Sequence, residues 1–150
     1  MPISAATTIA RIRTLIAEVT DMERVFAASE SDENAIPMSI NEFPAALVYP
    51  GATDQYILHT GQHRHTYEVI IQVLEAGADV GERAAAVLPF VDRILEKLVG
   101  NVTLGGRVNS CLITGNSGFS KLEYAGGEYL GYEITLTISE QATASPAAGS

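Results

Sequence analysis

The stretch EYLGYEITLTIS, residues 128–139, decides the fold because its residues alternate between apolar types and small or polar types. A period of two places successive side chains on opposite faces of an extended strand, so the stretch predicts a β-strand with one buried face. The apolar set is Leu130, Tyr132, Ile134, Leu136 and Ile138. Such a strand needs partner strands and a second layer to cover its apolar face.

The stretches upstream supply candidate partner strands. HTYEVIIQVLEA, residues 65–76, is apolar on both faces and predicts a central strand that is covered on both sides. AALVYPG, residues 45–51, predicts a short strand closed by a turn at Pro50 and Gly51. Val25 and Phe26 start another short strand, and residues 107–114 and 119–125 are also β-like.

Two stretches have helical periodicity. The first has apolar residues at three- and four-residue spacing, which predicts an amphipathic helix; they are Ile9, Ile12, Leu15, Ile16 and Val19. The second runs from Asp79, in a capping-box-like start, to Val99, with a bend expected near Ala85 because Pro89 lies inside it. Its expected buried stripe is Ala84, Val87, Leu88, Val91, Leu95 and Leu98.

The order of elements predicts a single α+β domain over residues 1–140, with a mainly antiparallel sheet packed against two helices as a single pair of layers. The closing residues 141–150, QATASPAAGS, are small, polar and proline-containing, which predicts a disordered tail. Residues 29–43 carry acids, Asn and Pro without periodicity and predict a long exposed loop.

Composition excludes several functions. The 150 residues hold 18 carboxylates against nine Lys and Arg, a formal charge of −9, and no basic cluster that would grip a nucleic-acid backbone. The start of the chain lacks a signal-peptide pattern, and no apolar run approaches the ~20 residues of a membrane span. The chain is therefore expected to be soluble, cytoplasmic where it is made, and without a membrane partner. Its single cysteine, Cys111, excludes an internal disulfide.

The sequence contains no motif of an established catalytic site or nucleotide site, so we expect neither an enzyme nor a cofactor. His59, His63 and His65, with Asp54 as a fourth ligand, form the one constellation that suggests zinc. Their spacing matches no strong motif, and the preferred interpretation is solvated side chains on a polar hairpin. Ser117, in GNSG, is interpreted as a turn residue because nothing ties it to a base.

The elements FPAALVYPG, HRHTYEVIIQVLEA, DVGERAAAVLPFVDRILEKL and YLGYEITLTI occur in this order after an N-terminal helix. Over residues 5–140 this arrangement resembles the tail terminator, or tail completion, family of long-tailed bacteriophages. The shared features are a proline-led strand ending in Pro-Gly, a basic residue before a strand that begins with Tyr67, and a proline in the following helix.

The resemblance implies a structural virion protein of the phage tail and neck, made in the host bacterial cytoplasm. It implies a homohexameric ring that caps the tail tube, ends tube polymerisation and offers the surface that joins the head. The implied partners are further copies of the chain, the tail tube protein and a head completion or connector protein, while DNA passes through the lumen without specific binding. The candidate ring, tube or lumen contacts are Glu30, Asp32, Glu33, Asn34, Met38, Tyr56 and Arg64.

Two alternatives stay open. Another neck component, such as a head completion protein or a tail tube subunit, would share ring symmetry, although the sequence gives no obvious long hairpin of the kind a tube subunit needs. A metal-dependent hydrolase that uses His59, His63 and His65 is the alternative from a different class.

Overall fold

A computed structural model describes residues 5–19, 22, 24–31, 35–37, 44–59, 62–75, 80–101, 103–104, 108, 110–116, 120–124 and 127–143. The elements are α1 (Ala5–Ala17), β1 (Arg24–Ala27), β2 (Ala45–His59), β3 (Gln62–Glu75), α2 (Val80–Val99), β4 (Ser110–Asn116), β5 (Ser120–Tyr124) and β6 (Gly127–Thr143). The fold is α+β, with a mostly antiparallel sheet packed against helices, as predicted. No helix in these ranges is both long enough and apolar enough to cross a membrane.

The sheet has six strands in the order β1-β2-β3-β6-β4, and β5 pairs with the start of β6. Only β1 and β2 run parallel; the other pairs are antiparallel. β6 is an interior strand of the sheet. It pairs with β3 along one side and with β5 and then β4 along the other. Its residues alternate between apolar and polar types because one face packs on the core while the other face is more exposed.

One face of the sheet and the apolar stripes of both helices form the main core. Every predicted apolar residue of the first helical stretch is buried, and so are the inward-facing residues from Tyr67 to Val73 on β3 and from Ile134 to Ile138 on β6. The fully enclosed members include Ile12, Ile16, Ile71, Ile94, Ile134 and Leu136. At roughly 1.5–3 kcal/mol for each buried large side chain, this layer contact is the main stabilising term of the fold.

The opposite face is covered at the end of the sheet near β1. Phe26, Leu47 and Leu74 form a second buried cluster there, against which Ile36 packs from the predicted long loop. Ala35 also makes an isolated parallel bridge with Ala27, so this part of the loop lies beside β1 at the edge of the sheet. The prediction that the central strand is covered on both sides is confirmed at this end.

Three details of the sequence interpretation are wrong. β2 continues through Pro50 and Gly51 to His59, with an irregularity between Pro50 and Asp54 where a turn was expected. β6 extends to Thr143, so residues 141–143 of the predicted disordered tail lie in a strand. Residues 144–150 lie outside the described ranges.

The third detail concerns α2. Leu88 was expected in the buried stripe but is 45% exposed, whereas Ile94 is fully buried. The stripe passes through Val91, Ile94 and Leu98, which are three and four positions apart, and Leu88 lies at its margin. Pro89 lies inside a helix that is continuous from Val80 to Val99. Asp79, the expected cap, and the side chains of residues 80–87 lie outside what the structure describes.

Candidate functional site

The three longest strands continue together past the last residue of β2 that β1 contacts. Residues 54–59 of β2 pair with 62–67 of β3, and these pair in turn with 138–143 of β6. At about 3.3 Å per residue, this three-stranded section is roughly 20 Å long. We call it the ribbon. The sequence predicted a turn at Pro50, and such a turn would have ended β2 before this section.

A buried polar cluster lies where the ribbon meets α1. Tyr67 donates a hydrogen bond of 2.6 Å from its hydroxyl to Oε2 of Glu140. The hydroxyl of Thr8, on α1, donates a longer bond of 3.4 Å to the same oxygen. The three side chains are 0 to 3% exposed. The cluster therefore ties α1, β3 and β6 together through one carboxylate.

His65 belongs to the same cluster. It is the register partner of Glu140 across β3 and β6, and its ring centroid lies 4.8 Å from that of Tyr67 at a tilt of 42°. Only 8% of the residue is exposed. The interpretation of His65 as a solvated side chain is therefore wrong, because the residue is buried beside Tyr67 and opposite Glu140.

His59 and His63 lie at the end of the ribbon that is farthest from β1. The structure describes only the backbone of His59 and His63, which pair with Gln62 and Leu58 respectively. Among the described residues there is no group of three or more His, Cys, Asp and Glu that could hold a metal ion. The zinc hypothesis stays a prediction.

The sheet face turned away from the helices carries a smaller polar group. Gln72 donates a hydrogen bond of 3.1 Å from Nε2 to Oε2 of Glu133. Burial, with a further contribution from the negative charge of Glu133, raises the pKa of Tyr49 to about 12. Tyr49 is thus protonated at neutral pH and can act there only as a neutral hydrogen-bonding group.

An open cleft of about 360 Å³ lies between the C-terminal ends of the two helices. An ion pair of 3.2 Å between Lys97 and Glu18 crosses it, and Arg93, Glu96 and Asn101 line it further. The side chains of Lys97 and Glu18 are 39% and 52% exposed. Solvent screens such a pair, so it stabilises the fold only weakly.

The predicted contact residues fall into three groups. Glu30 is half-buried just after β1, where its N–H donates to the carbonyl of Ala27 at 3.1 Å. Tyr56 and Arg64 lie in the ribbon, paired with His65 and Ile57, and only their backbone is described. The others lie outside the described ranges; they are Asp32, Glu33, Asn34 and Met38.

Sequence reasoning missed the cluster of Thr8, Tyr67 and Glu140 as a unit. A signal for two of its members was present, because Glu140 continues the alternation of Ile134, Leu136 and Ile138. Thr8 likewise lies four residues before Ile12 on the buried side of α1. A polar residue at an apolar position of each element indicates a buried polar contact, but the pattern does not name the partner.

Comparison of the chain with models of known protein families gave no match, and neither did comparison with curated proteins.

Proposed function

We propose that this chain is a structural subunit of the bacteriophage neck. It forms a homohexameric ring that caps the tail tube, ends its polymerisation and provides the surface to which the head is joined. Assembly by shape complementarity, and not catalysis, is its role. The observation that carries this proposal is the ribbon, which extends the sheet beyond its contact with β1 and bears two of the predicted contact residues, Tyr56 and Arg64.

A ring subunit needs two different surfaces that fit each other and close by rotation. The ribbon supplies a rigid support for such a surface because its three strands are hydrogen-bonded to one another over their whole length. The cluster around Glu140 holds the base of the ribbon against α1. Contacts made by the ribbon are therefore fixed in position relative to the core.

The charge of the chain suits a ring through which DNA passes. Six copies carry 6 × −9 = −54 formal charges, and a negatively charged lumen repels the phosphate backbone instead of binding it. Acidic residues of the loop at 29–43, including Asp32 and Glu33, are candidates for that lining. Reversing the charge of both residues should slow DNA ejection, and unchanged ejection would exclude them from the lumen.

A second neck function has support from one observation. β2 and β3 form an antiparallel hairpin of 15 and 14 residues, so the expectation that the chain lacks a long hairpin is wrong. A tail tube subunit, which polymerises through such a hairpin, is therefore a stronger alternative than the sequence suggested. Zinc analysis of the purified protein tests the remaining alternative, a hydrolase built on the three histidines.

Electron microscopy of a lysate that lacks only this gene separates the neck functions. Overlong tails without heads, beside heads filled with DNA, are the result expected for a terminator because the tube has lost its stop. Tails of normal length beside unjoined heads would instead indicate a head completion protein, and the loss of all tubes would indicate a tube subunit. Intact virions would contradict every neck function.

A further inference from the structure

The sheet face turned away from α1 and α2 is open over β3, β6 and β4. Its side chains alternate along these strands with the buried residues of the main core. Those that are half-buried or exposed include Glu68, Ile70, Leu112, Glu133, Thr135 and Thr137. In the single chain, solvent therefore reaches a broad section of this face, which we call the open face.

The charged residues of the open face are acidic. The strand sections that form it, residues 65–75, 110–116 and 131–140, contain no Lys or Arg. Glu133 already accepts a hydrogen bond from Gln72, whereas Glu68 makes no ion pair within the described ranges. A positively charged group of a partner is therefore the complement of Glu68.

α1 carries the opposite charge on the other side of the molecule. It contains two arginines and no acid, although the whole chain has a formal charge of −9. Arg13 donates a hydrogen bond from Nε to the carbonyl of Val25, whereas Arg11 is exposed and makes no ion pair in the described part of the chain. The other exposed or half-buried side chains near Arg11 are small; they are Ala6, Thr7, Ala10 and Thr14. Small side chains allow this side of α1 to lie close to a flat surface.

The covered end of the sheet limits where a neighbouring helix can lie. In its own copy α1 packs over β1 and β2, and Ile36 covers the other face of the sheet at that end. A neighbour's α1 can therefore reach the sheet only over β3 and β6, two strands farther on. At about 4.8 Å between strands, this is a shift of about 10 Å. The neighbour's α2, which packs over β3, β6 and β4 in its own copy, then lies beside the β4 edge and meets no covered part of the sheet.

We propose that copies of this chain pack face to back, with α1 of one copy on the open face of the next and Arg11 paired with Glu68. The partner is a second copy because one chain carries both charges, on opposite sides of its two layers. The contact joins two different surfaces, so repeating it generates a ring when the rotation closes. This inference rests on the proposed ring function and names the surfaces that build the ring.

Charge reversal tests the pairing. Arg11→Glu and Glu68→Lys are purified separately, and their association is measured by sedimentation. Each variant alone should associate at least about tenfold more weakly than wild type, because each places like charges against each other in the contact. Arg93→Glu is the matched control, since it reverses an exposed arginine on α2 and changes the net charge by the same amount as Arg11→Glu. It should associate as wild type does.

An equimolar mixture of the two variants provides the second test. In a ring of alternating copies, the carboxylate introduced by Arg11→Glu meets the amine introduced by Glu68→Lys. Every other contact in that ring is the unaltered pair of Arg11 with Glu68. The mixture should therefore associate nearly as wild type does, although neither variant does so alone. A loss caused by misfolding would persist in the mixture.

The outcomes separate this inference from the proposed function. Rings formed by either variant alone, a mixture that associates no better than its components, or an equal loss with Arg93→Glu would overturn the face-to-back contact while the ring function stands. Rings of Glu68→Lys that no longer bind purified tail tubes would show that a different protein occupies the open face, which also overturns the contact. A wild-type chain that stays monomeric both in solution and on purified tail tubes would overturn both.

Discussion

Tyr67 and Glu140, 73 positions apart in sequence, are joined inside the core by a hydrogen bond of 2.6 Å from the phenol to the carboxylate. Both residues are 3% exposed. A buried carboxylate is costly unless donors surround it, so the phenol is a necessary partner of the charge. The bond adds a side-chain contact to the backbone pairing of β3 with β6 at the base of the ribbon.

Tyr67→Phe should lower the free energy of unfolding by about 1.5–3 kcal/mol, because it leaves the buried carboxylate with one donor fewer. Urea unfolding followed by circular dichroism measures the loss. Thr8→Val is the matched control, since it removes a donor to the same oxygen at the longer distance of 3.4 Å. If Thr8→Val lowered the free energy of unfolding as much as Tyr67→Phe, the shorter hydrogen bond would not be the stronger one.

Gly131→Ala should destabilise the sheet strongly because there is no space for a side chain. A Cβ at this position would overlap the backbone carbonyl oxygen of Val73 on the paired strand β3. Backbone atoms cannot move aside without parting the strands, and we expect a loss of more than about 3 kcal/mol or failure to fold.

Gly115→Ala is the control for this change. Gly115 is also a strand glycine, but its added Cβ would lie 3.4 Å from Cβ of Thr135, an ordinary contact distance. Thermal unfolding of both variants should show a clearly higher Tm for Gly115→Ala. Equal Tm values would mean that the close approach at Gly131 relaxes at little cost.

The pH dependence of stability should report Cys111. Burial raises the pKa of its thiol from 9.0 to about 11, because the thiolate is poorly solvated in the core. The folded state thus holds the proton more tightly than the unfolded state. The resulting contribution to stability is fully present below pH 9 and is lost as the pH rises to about 11.

Urea unfolding of wild type and Cys111→Ala between pH 8 and about pH 11 checks this expectation. The free energy of unfolding of wild type should fall more steeply with pH than that of the variant. Tyr49 also has a raised pKa, but it titrates in both proteins and its effect cancels in the comparison. Parallel curves would show that the thiol does not carry the effect.

Periodicity predicted the parts of the fold that depend on neighbouring residues. The alternation of Ile134, Leu136 and Ile138 and the helical spacing of Ile9, Ile12 and Ile16 gave the correct elements and the correct buried faces. The length of β2 was missed because Pro50 and Gly51 normally end a strand. Proline is accepted at sheet edges and bulges, and Pro50 lies at both, beyond the last pair with β1.

The candidate site was less predictable because it is made by contacts between distant parts of the chain. His65 stands in a polar stretch and looks exposed, yet it is enclosed with Tyr67 and Glu140. The alternation that Glu140 continues indicates a buried position, but no local pattern shows that His65 lies opposite it.

Leu104 is a position at which we expect a glycine variant to be more stable than an alanine variant, the reverse of the usual order. It follows α2 in a turn, where its N–H donates to the carbonyl of Asn101 at 2.9 Å, and its φ is 50°. This left-handed conformation costs a residue with a Cβ roughly 1–2 kcal/mol but costs glycine little. Leu104 is nevertheless 1% exposed, so packing of its side chain offsets the strain.

Both Leu104→Ala and Leu104→Gly should lose about 2–5 kcal/mol of packing, but only alanine keeps the backbone strain. We therefore expect Leu104→Gly to be the more stable of the two variants when both are unfolded in urea. At ordinary positions glycine is the less stable by about 0.5–1 kcal/mol. If alanine proved more stable at residue 104 as well, the left-handed backbone would not persist without the leucine side chain, and packing would determine the shape of this turn.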